Sequence, residues 1–485
     1  MPNQISSGID GLDTILAGGF IPGSITIVQG RPGTGKTILA NQMCFHHARS
    51  GGRVLYVTLL AESHTRMFAH LDSLAFFDRA AIPDRVYYVS AFTVLETEGL
   101  RGLLTLLRRE VQAYGATLLV LDGLVAAERK AGSDLEFKKF IHGLQIQVAV
   151  SDCVTLLISS AAESEADATA EHTMVDCVID LRSRLYGWRS ERDIEVLKRR
   201  GAGFLSGRHA LDITGDGIGV YPRFEASHAW PRRAVQPGGA KVSSGLPPLD
   251  AMFGGGVPQH SMTVLEGSPG SGKTTLGLHF LGPCSAAEPG LLFSTTDSAE
   301  ALLAKARTLG LPVAGLIDAG HVTVAWRSST EGLLDAALHE LMRAVRRIGA
   351  RRLCIDSLTG LLQLVPDPSR LPAVLAALMQ ELRALGVTSL FTAEADGPGR
   401  FGVLPTTPEA MHGRLSVVAD NIVVLRPAKR RSSLIRQVSV FKARDAQIDP
   451  RVRSYRIGPG GIAIDDPSDG PEAPPRVPPR PAGQG

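Results

Sequence analysis

Short apolar runs alternate with longer amphipathic stretches along this 485-residue chain. In its first half, continuous apolar runs predict strands at 24–29, 53–59, 117–122, 154–159 and 177–182. Between them, segments such as 100–113 (LRGLLTLLRREVQA) and 135–150 space their apolar residues three and four apart, which predicts helices. The second half reads the same way, with strands at 262–266, 290–295, 352–356, 387–392 and 421–426. Strands that alternate with helices predict an α/β fold with a mainly parallel sheet, because parallel neighbours need a long crossover between them.

The two halves are copies. Ser6 opens SSGIDGLDTILAGG and Ser243 opens SSGLPPLDAMFGGG, an offset of 237 that holds through Gly30/Gly267, Lys36/Lys273 and Tyr56/Phe293. Asp122 in LLVLDGL matches Asp356 in RLCIDSL, and VDCVIDLR (175–182) matches ADNIVVLR (419–426). Repeats this long are duplicated domains rather than solenoid units. We expect a first domain over 3–225, a linker over 226–240 rich in Pro, Gly and Ala, and a second domain over 241–465. The Pro-dominated end, 466–485, has no apolar face to bury and reads as a disordered tail.

Composition narrows the class. With 44% apolar and 20% charged residues the chain reads as globular and soluble, and no apolar run is long enough to span a bilayer. The start MPNQISSGIDGLD lacks the basic-then-apolar pattern of a secretory signal. Five cysteines without a C-x-x-C pair argue against a zinc site or disulfide framework and fit a reducing, cytoplasmic location. A net charge of +3 does not suggest a nucleic-acid binder, and neither nucleic acid nor membrane is expected as a partner.

Each copy carries G-x-x-x-x-G-K-[ST] between an apolar strand and a helix: Gly30-Arg-Pro-Gly33-Thr34-Gly35-Lys36-Thr37 and Gly267-Ser-Pro-Gly270-Ser271-Gly272-Lys273-Thr274. Glycines let such a loop bring backbone N–H groups against phosphate oxygens at the positive end of the following helix. Lys36 and Lys273 would reach the β- and γ-phosphates of ATP, and the Thr37 and Thr274 hydroxyls would ligate Mg²⁺. Asp122 and Asp356 each end an apolar strand, where a carboxylate can hold the cation's water shell; a plain turn residue is the competing reading.

These motifs, with S-G-[IL]-x-x-L-D before each loop and the A-D-N-I-V-V-L-R strand, resemble the KaiC-like branch of the RecA/DnaB superfamily over roughly 3–465. The resemblance implies two tandem RecA-like phosphate-loop NTPase domains, slow ATP hydrolysis, a homohexameric ring with ATP between subunits, and in some members Ser/Thr autophosphorylation. It implies a water-activating acid after the second strand: Glu62 in the first copy, where Leu60-Ala61 stand in place of the frequent Glu pair, and Asp297 in the second. It also implies a Lys and an Arg delivered to the neighbour's γ-phosphate, here Lys198 and Arg200, and Lys442 and Arg444. Only ten of the 51 basic residues are lysines, which makes two at matched places notable against an ordinary basic surface. At the family's phosphorylated Ser-Thr pair this chain has Leu415-Ser416-Val417, keeping the serine without the threonine.

The leading expectation is thus an oligomeric signalling ATPase of the KaiC type with an unidentified protein partner; for Ser416 the readings are an unmodified surface residue or the site of a weak Ser/Thr autokinase activity. A DNA-acting motor and an ATP-assembled scaffold with little turnover are the rival readings. Basic clusters such as Lys429-Arg430-Arg431 are dispersed and few aromatics accompany them, so solvated faces explain them more simply.

Overall fold

A strand covered on both faces needs apolar residues on both, and the apolar runs above become the central strands of two sheets. The structure, a computed structural model, describes residues 4–60, 64–160, 170–186, 188–228, 239–329, 332–365, 367–394, 418–430, 433–444 and 447–465. The chain divides into two compact units, 1–227 and 228–485.

In the first unit the strands are β1 (Ile25–Gly30), β2 (Val54–Thr58), β3 (Val86–Ser90), β4 (Leu118–Asp122), β5 (Val154–Ser160), β6 (Cys177–Tyr186), β7 (Arg189–Arg199), β8 (Arg208–Thr214) and β9 (Gly217–Tyr221). They form one sheet in the order β3-β2-β4-β5-β1-β6-β7-β8-β9. The run from β3 to β6 is parallel, and β6 to β9 is an antiparallel extension. The period of two divides the parallel strands between two cores. Val54, Tyr56, Val120 and Leu156 face the helix Lys36–Arg49 through Leu39, Met43 and Phe45. Leu55, Val57, Leu119 and Leu157 face the helices Phe92–Tyr114 and Asp134–Ser151 through Leu103, Leu107, Ile141 and Leu144.

The second unit begins with a small pair, β10 (Lys241–Val242) and β11 (Val257–Pro258). Then follow β12 (Met262–Gly267), β13 (Gly290–Ser294), β14 (Val322–Trp326), β15 (Arg352–Asp356), β16 (Thr388–Glu394), β17 (Asn421–Arg430), β18 (Ser433–Ala443), β19 (Arg453–Gly458) and β20 (Gly461–Ile464). Their order, β14-β13-β15-β16-β12-β17-β18-β19-β20, repeats the first sheet strand for strand. Two tandem RecA-like domains, each with a mainly parallel sheet flanked by helices, are therefore the architecture.

The structure adds what the apolar runs left out: the edge strands β3 and β14, and the antiparallel strands β7–β9 and β18–β20. Strand β7 reads RSERDIEVLKR, and its charges hide it as a strand. They are absorbed by cross-strand pairing: Arg182 Nη1 lies 3.4 Å from Glu195 Oε2, and Arg184 Nε 3.8 Å from Asp193 Oδ2.

The shared S-S-G-x-x-x-L-D motif proves to be a brace ahead of each phosphate loop. The Ser6 hydroxyl donates to Asp13 at 2.6 Å and the Ser7 amide to the same carboxylate at 2.8 Å. Ser243 and Ser244 do the same to Asp250, both at 2.6 Å.

Candidate functional site

Strand β1 ends at Gly30 and the helix Lys36–Arg49 begins six residues later, so the loop between them lies at the carboxyl edge of the parallel strands. Gly35, the last loop residue, takes φ 103° and has Ile213 Cδ1 2.7 Å from where a Cβ would stand. Gly272 repeats this at φ 94°, with Ile457 Cδ1 at 2.6 Å. Only glycine fits a positive φ under such a lid, and the final hairpin of each unit (β8–β9 and β19–β20) supplies that lid. Gly33 and Gly270 sit at the loop apices with open space beyond them. The Thr34 hydroxyl braces its loop on Arg31 O at 2.9 Å, and the Ser271 carbonyl accepts the Tyr455 hydroxyl at 2.5 Å.

The two lysines curl over their own loops. Lys36 Nζ donates to Gly30 O at 2.7 Å and Arg31 O at 3.0 Å; Lys273 Nζ donates to Gly267 O at 2.8 Å and Ser268 O at 3.0 Å. Partial burial lowers both ammonium pKa values, opposed by Asp122 beside Lys36 and by Glu394 and Asp356 beside Lys273. Each ammonium is therefore held at the loop mouth on carbonyl oxygens, a position from which it can transfer to a phosphate.

Thr37 and Asp122 meet. Thr37 Oγ1 lies 3.4 Å from Asp122 Oδ2, which also accepts the Tyr56 hydroxyl at 2.8 Å. Burial raises the Asp122 carboxyl pKa, partly offset by the Tyr56 hydrogen bond and the Lys36 charge. Thr274 takes the place of Thr37 in the second unit, and Asp356 is only 4% exposed. Its Oδ1 accepts the Thr392 hydroxyl at 2.5 Å, while its buried Oδ2 has no hydrogen-bond partner among the described residues. A threonine hydroxyl beside a buried carboxylate in the first unit, and a buried carboxylate with an oxygen unpartnered among the described residues in the second, are hard-oxygen donors that suit Mg²⁺ and its water shell.

Of the other expected residues, Asp297 stands near the Asp356 carboxylate and the rest lie apart or outside the described residues. Glu62 and Ser416 fall outside the described residues. Leu60 lies against Gly123, next to Asp122. Asp297 sits in the turn after β13, where its amide donates to Ser294 Oγ at 3.1 Å and its carbonyl accepts from that hydroxyl at 2.7 Å. Because Ser294 is the register partner of Asp356, this turn stands beside the carboxylate.

Lys198 pairs in register with Val178, which pairs with Ile27, whereas Gly30 pairs with Leu181. Three residues of strand separate the level of Lys198 from that of Gly30, about 10 Å along the sheet. There Lys198 Nζ donates to His172 O, Thr173 O and Val175 O at 2.7, 3.0 and 2.8 Å. Arg200 Nη2 donates to Thr173 O at 2.7 Å. In the second unit Lys442 Nζ donates to Ala419 O at 2.7 Å, and Arg444 Nη1 lies 3.4 Å from Asp420 Oδ1. The fold thus gathers loop, lysine, threonine and aspartate within each unit and keeps the Lys–Arg pair away from them.

The sequence profile of the family described as "ATPase: KaiC" matches residues 5–225 and 242–469. The chain belongs to the KaiC ATPase family. Among its relatives, the "Circadian clock oscillator protein KaiC" of Picosynechococcus sp. is 27% identical, over 96% of this chain and 90% of its own length. The protein of that name from Rippkaea orientalis is 26% identical over 96% and 89%, and so is the "Circadian clock oscillator protein KaiC 1" of Synechocystis sp.. Membership carries ATP as the expected ligand. Among the described residues, no helix is long and apolar enough to cross a membrane.

Sequence reasoning missed Tyr56, Asn41, Tyr88, Thr392 and Glu394. Glu394 ends β16 as the register partner of Gly267, where the first unit has Ser160 beside Gly30. The signal for it was available: a polar residue closing an apolar strand next to a phosphate-loop strand is placed at the loop by the fold alone.

Proposed function

We propose that this chain is an Mg²⁺-dependent, ATP-hydrolysing signalling ATPase of the cytoplasm that assembles as a homohexameric ring with ATP at subunit interfaces. Residues 3–225 and 241–465 are its two ATPase domains, joined by the linker 226–240, with the tail 466–485 outside both. The observation that carries the reading is the distance of each Lys–Arg pair from the phosphate loop of its own unit. Phosphoryl transfer gathers negative charge on the γ-phosphate and calls for positive charge there. Lys36 and Lys273 bring one charge each, and a neighbouring subunit would bring the other from Lys198 and Arg200 or Lys442 and Arg444.

Within a site, the glycine-rich loop amides and the lysine bind and orient the phosphates. Thr37 with Asp122, and Thr274 with Asp356, hold the cation, which neutralises charge on the β- and γ-oxygens when bound. Glu62 and Asp297 are the candidates to orient the attacking water. Transfer to Ser416 rather than to water would make the second domain a weak autokinase, and labelled γ-phosphate appearing on Ser416 but not on Ser416→Ala is the expected sign. An unidentified signalling protein is the expected partner. The rival scaffold reading is favoured by Leu60-Ala61, which stand where the family often has a Glu pair.

A mixing experiment tests the trans arrangement. Arg200→Ala is expected to lose first-domain hydrolysis while staying folded, and mixing with Lys36→Ala should restore part of it through hybrid interfaces. Co-assembled mixtures with no recovery of phosphate release would rule out a trans-acting Arg200.

A further inference from the structure

The two domains hold equivalent carboxylates by different means. In the first, the Tyr56 hydroxyl donates to Asp122 Oδ2 at 2.8 Å, the oxygen that Thr37 Oγ1 also approaches. Asn41 Nδ2 donates to Thr37 O at 2.8 Å and lies 3.4 Å from the Tyr56 oxygen. The Tyr88 hydroxyl completes the chain by donating to Asn41 Oδ1 at 2.7 Å. Tyr56 and Asn41 are both fully buried. Burial and then the Asp122 charge push the Tyr56 phenol well above its usual pKa, so it stays a hydrogen-bond donor.

None of this exists in the second domain. The offset of 237 puts Leu278 at the place of Asn41 and Phe293 at that of Tyr56. Tyr88 faces Tyr56 across the strand pair, and Ala325 faces Phe293. There the carboxylate is gripped from the neighbouring strand on its other side, through Thr392 of β16, where the first domain has Ile158 beside Asp122.

A buried hydroxyl and amide cost stability unless each finds a partner. Apolar residues fill the same space in the second copy, so packing does not demand the network. What the network does is fix two things at once: the Asp122 rotamer, through Tyr56, and the first turn of the phosphate-loop helix at Thr37, through Asn41. We propose that Tyr56, braced by Asn41 and Tyr88, is the positioning residue of the first cation site, holding Asp122 through Oδ2, the carboxylate oxygen that faces the Thr37 hydroxyl. The second domain uses Thr392 in that role from the opposite side of its carboxylate. The two sites then answer separately to changes in their supports.

The inference rests on the reading of Lys36 as a nucleotide-binding residue, and the test separates the two. Full-length protein carrying Lys273→Ala, with or without Tyr56→Phe, is titrated with Mg²⁺ while binding of a non-hydrolysable ATP analogue is followed by calorimetry. Phenylalanine already occupies this place in the second domain, so the variant is expected to fold, and its melting temperature checks that. Removing a partner that orients a metal ligand typically costs 10–100-fold in metal affinity, so the Mg²⁺ concentration for half-maximal binding should rise by about 10–100-fold. Binding in EDTA should stay unchanged. Thr392→Val in a Lys36→Ala background should produce the matching shift in the second site, and Tyr56→Phe should leave that site alone. Bound nucleotide with an unshifted Mg²⁺ midpoint in Tyr56→Phe, even with a lowered melting temperature, overturns the positioning role. No nucleotide bound to Lys273→Ala at any Mg²⁺ concentration sinks the Lys36 reading and the Tyr56 inference with it.

Discussion

Lys36→Ala and Lys273→Ala are each expected to remove about one bound ATP per chain and to leave the other site filled. Each lysine rests on two carbonyl oxygens of its own loop, which fixes its ammonium at the mouth where the phosphates of a nucleotide would lie. Truncating one partner of a largely desolvated charge pair typically costs about 2–5 kcal/mol. That is roughly 30- to 5,000-fold in affinity. Because the two loops belong to separate units with separate cores, the losses should add without coupling. Equilibrium dialysis with labelled ATP gives the stoichiometry directly. Two tightly bound ATP in both single variants would show that the loops are wrongly assigned.

The second large effect concerns hydrolysis, which we expect the first domain to dominate. Glu62→Gln should remove most phosphate release at saturating ATP, and Asp297→Asn should remove little. A water-orienting carboxylate has to reach hydrogen-bond distance, about 2.6–3.2 Å between heavy atoms. An aspartate arm is one methylene shorter, and an error of about 1 Å can cost around a hundredfold. Asp297 is also tied back by its own backbone to Ser294, which limits how far the turn can advance to compensate. Lys273, Thr274 and Asp356 remain in place, so the second domain should still bind Mg–ATP and serve assembly or sensing. If Asp297→Asn abolishes turnover and Glu62→Gln spares it, the roles are reversed.

How much of this was legible in the sequence follows from what each residue needs to announce itself. The central strands could be read because both of their faces are buried and the apolar run is unbroken. Strand β7 could not, since its charges look solvated until Arg182 and Arg184 find Glu195 and Asp193 across the sheet. The phosphate loops were plain, because glycine spacing and lysine position are local requirements. Tyr56 was hidden for the opposite reason: in the apolar run VLYVT it reads as one more core residue, and only the neighbouring strand places Asp122 under its hydroxyl. The Lys–Arg pairs could be named only through the family resemblance, and their distance from the loops depends on antiparallel register, which no local pattern encodes.

The hairpins that cover Gly35 and Gly272 have a consequence for how the protein is made. Ile213 belongs to β8 and Ile457 to β19, in the last hairpin of each unit, whereas the loops they cover follow the first large strand. Domains emerge from the ribosome amino end first, and contacts this distant in sequence form late. During synthesis each phosphate loop is therefore exposed well before its roof exists. On the proposed reading of the two loops as nucleotide sites, each would be roofed only when its closing hairpin has been translated, the first before the second.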